Sequence, residues 1–148
     1  MTDLELAKQI FSDEHLSFVL VKQNRVLATG TRDGIGELLT AVEGLGAETN
    51  GASLADKVVG KAVAMVAVEA GVRAVYSPLA SEAAQRVLFS RQISLQAVRL
   101  VPLIRNKRDD GPCPMERLTM PLDEPRDAVA ALKNFVGRSH SSTPQSES

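Results

Sequence analysis

Apolar residues recur at every third or fourth position in several stretches of the chain, which is the spacing typical of amphipathic helices. The predicted helices cover residues 3–11, 35–44, 53–70, 79–90 and 124–136. The longest of them has Ser53 and Asp56 at the spacing of a capping box, and Gly71 follows its last residue. Because its apolar positions form one stripe, we expect this helix to be buried.

Runs rich in Val, Leu and Ile predict strands between these helices. The predicted strands cover residues 16–22, 25–29, 72–76 and 95–104, and residues 117–120 are a candidate for one more short strand. Gln23 and Asn24 separate the first two strands by the two residues of a tight hairpin. Pro78 indicates the start of the next helix, and Pro102 places the end of the fourth strand at an edge or a bend.

The order of these elements predicts the fold class. A hairpin flanked by helices and followed by alternating strands and helices is typical of an α/β domain, and we expect a three-layer α/β/α sandwich with a mixed sheet. Residues 1–137 have a length suited to one such domain with a single core. Residues 138–148 are polar and rich in Ser, which predicts a disordered tail.

Charge and composition exclude several classes of function. With 17 basic and 18 acidic residues, the net charge of -1 attracts no nucleic acid, and 3% aromatic residues offer few platforms for stacking bases. No apolar run is long enough to span a bilayer, and the first residues lack a signal-peptide layout, so we expect a cytoplasmic protein without membrane contact. Cys113 is the only cysteine, which excludes an internal disulfide.

Known motifs for metal and nucleotide chemistry are missing from the sequence. The histidines, His15 and His140, share no spacing with Cys113 that would hold zinc, so we expect no metal and no cofactor. The chain has no Gly-x-Ser-x-Gly elbow, P-loop or dinucleotide fingerprint. The glycines in residues 30–36, GTRDGIG, allow two interpretations: a backbone concavity that favours an anion, or a flexible turn.

Two lysines stand out in the predicted helix 53–70. Lys57 and Lys61 are one turn apart near its start, where the helix dipole disfavours cations. Gly60 lies between them, and a glycine inside a helix costs about 1 kcal/mol relative to alanine. Such departures from local preference are typical of functional sites, so the sequence predicts a pocket for a phosphate or carboxylate here. The alternative is that the lysines are solvated and Gly60 allows close packing.

The segment from Cys113 to Arg117 is the second candidate region. No second cysteine accompanies Cys113, which excludes paired-thiol redox chemistry. Arg117 and the nearby Lys107 and Arg108 lie close enough in sequence to lower the pKa of the thiol, although a loop cysteine is commonly inert. Glu116 and Arg117 have an equally simple interpretation as a surface ion pair.

Four segments carry a resemblance to a known family: LADKVVGKA (54–62), VYSPLASEAA (75–84), VPLIRN (101–106) and CPMERL (113–118). Over residues 15–125 the chain resembles an uncharacterised family of small prokaryotic proteins, a domain of unknown function with a cytidine-deaminase-like fold. The resemblance implies a three-layer α/β/α sandwich, in agreement with the order of elements above.

The resemblance also implies where a zinc deaminase would hold its metal. Such enzymes need His-x-Glu at the start of the second core helix and Pro-Cys-x-x-Cys at the start of the third. We assign these positions to Ala55–Lys57 and to the segment from Pro78 to Glu82, where Leu79 and Glu82 replace the cysteines. Both sets of zinc ligands are therefore absent, and the fold does not by itself imply the chemistry.

The sequence thus predicts a metal-free, deaminase-like domain with a pocket at the start of helix 53–70, covered by the Cys113–Arg117 loop. The ligand would be a small anionic metabolite or a nucleotide-like molecule. The candidate ligand-binding residues are Asp56, Lys57, Lys61, Cys113, Glu116 and Arg117.

Catalysis stays undecided at this point. In an enzyme, Lys57 or Cys113 would be the nucleophile and Asp56 or Glu116 the general acid or base. The alternative function is a structural or interaction module that forms a homodimer through its sheet edge or apolar helix faces.

Overall fold

A computed structural model describes the backbone of residues 1–147 and the side chains of residues 1–137. The strands are β1 (Phe18–Lys22), β2 (Arg25–Gly30), β3 (Ser53–Asp56), β4 (Val58–Val59), β5 (Ala74–Ser81) and β6 (Ser94–Val101). The helices are α1 (Asp3–Asp13), α2 (Gly36–Leu45), α3 (Lys61–Ala70), α4 (Glu82–Ser90), α5 (Pro114–Thr119) and α6 (Pro125–Glu147), with a 3-10 turn at Gly46–Thr49. No described helix is long and apolar enough to cross a membrane.

The strands form one mixed sheet. Strand β1 is antiparallel to both β2 and β3, whereas β3, β4 and β6 are all parallel to β5. Strands β3 and β4 pair with β5 at the same offset, Ala55 opposite Tyr76 and Val58 opposite Leu79. They are therefore one strand interrupted at Lys57, and helices α3 and α4 provide the crossovers between the parallel strands.

Helices cover both faces of the sheet. On one face α1 packs against β1, β3 and β5, where Val19 and Val21 meet Phe11 and Tyr76. On the other face the large core contains the alternate residues of β1, Phe18 and Leu20, together with residues of α2, α3 and α4. Helices α5 and α6 pack over α3. The predicted α/β fold with a mixed sheet is confirmed.

The predicted hairpin is also confirmed. Gln23 and Asn24 both have left-handed backbone conformations, with φ of 52° and 63°, which matches the two-residue turns that join twisted strands. The carboxylate of Asp3 accepts hydrogen bonds from both of their backbone amides, at 2.8 and 2.9 Å. The start of α1 is thereby tied to the tip of the hairpin.

The prediction of a helix over residues 53–70 is wrong for its first half. Residues 53–56 and 58–59 are strands, and α3 begins only at Lys61. Ser53 is buried within β3, so it forms no capping box with Asp56. A short run that is apolar on both faces has the same composition in a buried parallel strand as in a buried helix, and here its pairing with β1 and β5 decides the outcome.

Two other predicted boundaries are corrected by the structure. Pro78 does not start a helix but lies inside β5, where the hydroxyl of Ser77 both donates to the carbonyl of Leu79 and accepts from its amide, at 2.7 and 3.1 Å. Helix α4 begins at Glu82, where Ser81 provides the cap. The candidate strand at 117–120 is wrong, because most of these residues belong to α5.

The end of the chain leaves one prediction open. Helix α6 begins at Pro125, beside its predicted start. The tail that was predicted to be disordered is residues 138–148. The structure describes no side chains in this segment and does not describe residue 148 at all. That prediction stays a prediction.

Candidate functional site

The interruption between β3 and β4 creates the candidate site. The backbone amide of Lys57 donates to the carbonyl of Ser17 at 2.9 Å, just before β1, and the amide of Val58 donates to the Asp56 carboxylate at 3.3 Å. The residue of β5 that lies at the same level is Pro78, which has no N–H to donate to a neighbouring strand. Asp56 and Lys57 are therefore released from the parallel ladder and face a cavity.

This cavity has a volume of about 310 Å³ and lies between the strand break, the first turn of α3 and the 104–113 loop. Its walls are mainly apolar, formed by Ile35, Val58, Ala62, Val63, Ile104 and Met115. Its polar residues are Ser17, Asp33, Asp56, Lys57, Lys107 and Cys113. A mainly apolar cavity with a few convergent polar groups is the usual form of a small-molecule site.

Asp56 is the most perturbed group in the cavity. Although part of the residue reaches solvent, burial of its carboxyl group raises the pKa to about 8, against the opposing effect of hydrogen bonds from the amides of Val58 and Lys57. The neighbouring cation, Lys57, instead lies 3.4 Å from the carboxylate of Asp33, in an exposed pair that contributes little stability. Near neutral pH the Asp56 carboxyl is thus mostly protonated and can donate as well as accept.

Glu116 stands directly behind the cavity. It is only 3% exposed, and its Oε1 accepts from the backbone amide of Lys61 at 2.5 Å, at the amino end of α3. Burial raises the pKa of Glu116, while the Lys61 amide and side chain oppose this shift. Glu116 is therefore a buried helix cap, and the prediction of a surface ion pair with Arg117 is wrong.

The same contact explains why residue 60 is a glycine. Gly60 is the residue before α3 rather than a glycine inside a helix. A Cβ atom at this position would lie 1.9 Å from Oε1 of Glu116. The absence of a side chain lets the carboxylate reach the Lys61 amide. Gly60 thus allows close packing, as one interpretation of the sequence predicted, and it also lines the cavity, so ligand binding beside it stays a prediction.

Cys113 lines the cavity from the opposite side. It precedes the first residue of α5, and its Sγ accepts from the amide of Glu116 at 3.4 Å. Pro114 follows at the first helical position, where a missing N–H is harmless. The short helix α5 therefore presents the thiol and Met115 to the cavity and Glu116 to α3.

The six residues predicted from sequence have different positions. Asp56, Lys57 and Cys113 line the cavity, and Glu116 caps the adjoining helix. Lys61 does not line it, because its ammonium donates to the carbonyl of Met120 at 2.9 Å. Arg117 is exposed and lies outside the lining. Ligand binding by any of them stays a prediction.

Several lining residues were not predicted. Asp33 and Gly34 come from the GTRDGIG turn, where Gly34 has a φ of 95°, and binding of an anion by the backbone of this turn stays a prediction. Ser17 gave no signal in the sequence, because a serine before a strand is an ordinary surface residue, and the sequence placed Lys107 only near the Cys113 thiol. Their role in the cavity depends on tertiary contacts.

The positions assigned to zinc ligands also need correction. Ala55–Lys57 do not open a helix, and the residues at the start of α3 are Gly60, Lys61 and Ala62. At the start of α4 they are Ser81 and Glu82. Within the described side chains, no group of three or more His, Cys, Asp or Glu residues could hold a metal ion.

Comparison with known proteins identifies relatives. A family model described as a domain of unknown function, DUF1893, matches residues 6–136. The crystal structure of a DUF1893 family protein from Thermotoga maritima is similar with a TM-score of 0.81 and 20% identity, covering 91% of each chain. At this identity the similarity shows the fold alone. No curated protein matches the sequence.

Replacement of Gly60 by alanine tests the contact with Glu116. The new methyl group must displace the buried carboxylate from the Lys61 amide, so we expect Gly60→Ala to lower the free energy of unfolding by about 1–3 kcal/mol. In a Glu116→Ala background the same change should cost less than half as much, as measured by urea denaturation in a double-mutant cycle. Gly44→Ala, in a helix with open space around it, is the control and should be neutral or stabilising. Equal costs for Gly60→Ala in both backgrounds would contradict the proposed contact.

The pH dependence of stability tests the state of Asp56. Its pKa is about 8 in the folded protein, above its ordinary value of 3.8, so the folded state binds the proton more tightly than the unfolded state. The stability from this group is present below about pH 4 and is lost as the pH rises towards 8, by at most about 1.4 kcal/mol per pH unit. Asp56→Asn removes this titration. The stability of the variant relative to wild type should therefore rise between pH 4 and 8 in chemical denaturation, and a difference that does not change with pH would contradict the raised pKa.

Proposed function

The chain belongs to the DUF1893 family of domains of unknown function, and from the geometry of its cavity we propose that it is a binding domain for a small nucleotide-like or anionic molecule. The observation that carries this proposal is the cavity of about 310 Å³ beside Asp56, Lys57 and Cys113. Its volume suits a ligand with one ring or a short chain.

The position of the cavity in the sheet supports this proposal. In open α/β sheets, ligands bind outside the carboxyl ends of the parallel strands, where loops lead into the following helices. Strands β3 and β4 end at this cavity, and α3 follows directly after Gly60. Asp56 has a perturbed pKa and no cation paired with it among the described side chains, which is typical of functional groups rather than of structural ion pairs.

The charges around the opening support an anionic or polar end on the ligand. Lys57 and Lys107 both contribute to the lining and are exposed, so they can meet a charged group without being desolvated. Asp33 offsets part of this positive charge through its pair with Lys57. The inner walls, formed by residues such as Ala62, Val63 and Ile104, favour an apolar body.

We also propose that the fold is a cytidine-deaminase-like fold that no longer supports zinc chemistry. An antiparallel hairpin followed by parallel strands with intervening helices supports the first part of this proposal. Zinc-dependent deamination needs His and Cys ligands at the starts of two core helices. Helices α3 and α4 begin with Lys61 and Glu82 instead of His and Cys, which supports the loss of zinc chemistry.

Any catalysis in this cavity would rest on few groups. Asp56 can exchange a proton near neutral pH, and Cys113 supplies the only thiol of the chain. Glu116 is a less suitable acid or base than the sequence predicted, because its carboxylate is engaged at the amino end of α3. Ligand binding is therefore the function that the geometry supports best.

A cavity-filling variant tests the proposed binding function. Val58 is half-buried and lines the cavity, so Val58→Phe should occupy it, whereas Val26→Phe places the same side chain on the exposed strand β2. In thermal unfolding with nucleosides, nucleotides and sugar phosphates, at least one compound should stabilise both wild type and Val26→Phe, by roughly 5–10 °C when the ligand is at 100 times its Kd. Val58→Phe should lose this shift. The proposal fails if no compound stabilises the protein or if Val58→Phe responds like the control.

A homodimer is the second candidate function, and the edge of the sheet favours it. Among the described strands, β6 pairs with β5 alone, so its other edge has unpaired backbone groups. Val98 and Leu100 on this strand are 72% and 41% exposed, and Phe89 at the end of α4 is 83% exposed. An exposed apolar edge strand is suited to pairing with a second copy of the same strand.

Sedimentation velocity tests this dimer. We expect the wild-type protein to sediment as a dimer at micromolar concentrations, and Val98→Arg to sediment as a monomer because a charge is placed on the shared edge. Val26→Arg, on the opposite edge strand, should leave the dimer intact. A monomeric wild-type protein at these concentrations would rule out this candidate.

A further inference from the structure

A groove lies next to the cavity and shares one wall with it. The groove has a volume of about 650 Å³ and lies between the end of β2, the start of α2 and helix α6. The residues that line both the groove and the cavity are Asp33, Gly34, Ile35 and Met115. The two compartments are therefore neighbours, separated by one turn of the backbone and one methionine side chain.

The shared turn has a fixed backbone and carries no side chain at Gly34. The carboxylate of Glu37 holds the first part of the turn, because its Oε1 accepts from the amides of Thr31 and Arg32 at 3.0 and 2.7 Å. Gly34 follows with a φ of 95°. Apart from its two chain neighbours, no described atom lies within 4 Å of the position that its Cβ would occupy. The space around Gly34 thus stays open between the two compartments.

Met115 forms the other part of the shared wall. Its backbone is fixed, because its carbonyl accepts from the hydroxyl of Thr119 at 2.9 Å and the next residue, Glu116, is bound to the start of α3. Its side chain is half-buried, unbranched and adaptable, since methionine has three rotatable bonds. An elongated molecule can therefore reach from the cavity into the groove by displacing only the end of this side chain.

The groove has an apolar floor, formed by Ala41 of α2 and by Phe135 and Val136 of α6. These residues line the groove and are only half-buried, so part of their apolar surface is in contact with solvent. Covering this surface with an apolar group is favourable. The polar residues that line the groove are Thr29, Arg32, Asp33, Glu37 and Thr40.

We propose that the groove binds an apolar extension of the ligand whose other end occupies the cavity. The ligand class is an elongated molecule with an acyl or alkyl chain, which passes Gly34 and Met115 and ends on the apolar floor. Its charged group lies at the opening of the cavity, where Lys57 and Lys107 are exposed. The inference rests on the proposed binding function and names the class of its ligand.

The continuity of the groove with the cavity favours the ligand over a protein partner as its occupant. The two compartments share their lining at the turn and at Met115. The exposed apolar residues that suit a second copy of the chain, Phe89, Val98 and Leu100, do not line the groove. The occupant that contacts both compartments is therefore one elongated ligand.

Straight-chain carboxylates of increasing length test this inference. Butanoate, hexanoate, octanoate and decanoate are each titrated into the protein by isothermal titration calorimetry. We expect the affinity to rise by about three- to fourfold for each added methylene group that is buried. The rise should continue to the longest chain, because methylene groups that no longer fit in the cavity enter the groove.

Phenylalanine substitutions separate the two compartments. Thr29→Phe and Thr40→Phe narrow the groove from exposed positions on β2 and α2. Both variants should bind butanoate like the wild type and gain no affinity from octanoate to decanoate. Val58→Phe fills the cavity and should lose affinity for the whole series. Val26→Phe is the matched control on β2, outside the groove, and should match the wild type at every chain length.

Nuclear Overhauser contacts locate the end of the bound chain. We expect the terminal methyl group of decanoate to show contacts with the ring protons of Phe135, which is part of the apolar floor. Phe135→Leu should remove these contacts, which assigns them to this ring. The methyl group of butanoate should show no contact with Phe135, because the shorter chain ends in the cavity.

Failure of the inference differs from failure of the binding function. If Thr29→Phe and Thr40→Phe bind decanoate as the wild type does, the inference is overturned. It is also overturned if these two substitutions dissociate a dimer in sedimentation velocity, since the groove then holds a second copy. If no carboxylate binds, the inference fails, while the binding function still stands where Val58→Phe removes stabilisation by another compound. If no compound of the wider panel binds either, both fail.

Discussion

A strand between two neighbours in a sheet normally places every backbone amide in a hydrogen-bonded ladder. The strand formed by β3 and β4, between β1 and β5, departs from that rule at Asp56 and Lys57. On one side Lys57 still bonds to Ser17, beside β1. On the other side it faces Pro78, which has no N–H. The chain keeps the same offset to β5 before and after the break, so the sheet continues while two polar residues are freed from the pairing with β5.

A second contact fixes the opposite wall of the cavity. Helix α5 has six residues, too few to be stable alone, and it depends on packing against α3 and α6. The buried carboxylate of Glu116 at the amide of Lys61 anchors this packing, and the small size of Gly60 makes the contact possible. Cys113 and Met115 are positioned as a consequence. The cavity therefore combines parts of the chain that are more than fifty residues apart, and the Glu116 contact connects them.

The physical character of the cavity follows from these two features. Its lining contains the Asp56 carboxyl, whose pKa is raised by burial, together with an exposed Lys–Asp pair and a further lysine. Apolar walls with a few polar and charged groups suit a small ligand that has an apolar body and a polar or charged end.

The sequence alone determined the features that depend on neighbouring residues. The two-residue spacing at Gln23–Asn24 indicated a hairpin, since Asn tolerates the left-handed conformation, and the alternation of strands and helices indicated an α/β fold with a mixed sheet. The tertiary structure alone decided that residues 53–56 and 58–59 are strands, because an apolar segment buried on both faces has no periodicity that separates strand from helix. It also decided that Glu116 is buried and that Lys61 does not line the cavity. Those positions depend on contacts with Gly60 and Met120, which are distant in sequence and leave no local pattern.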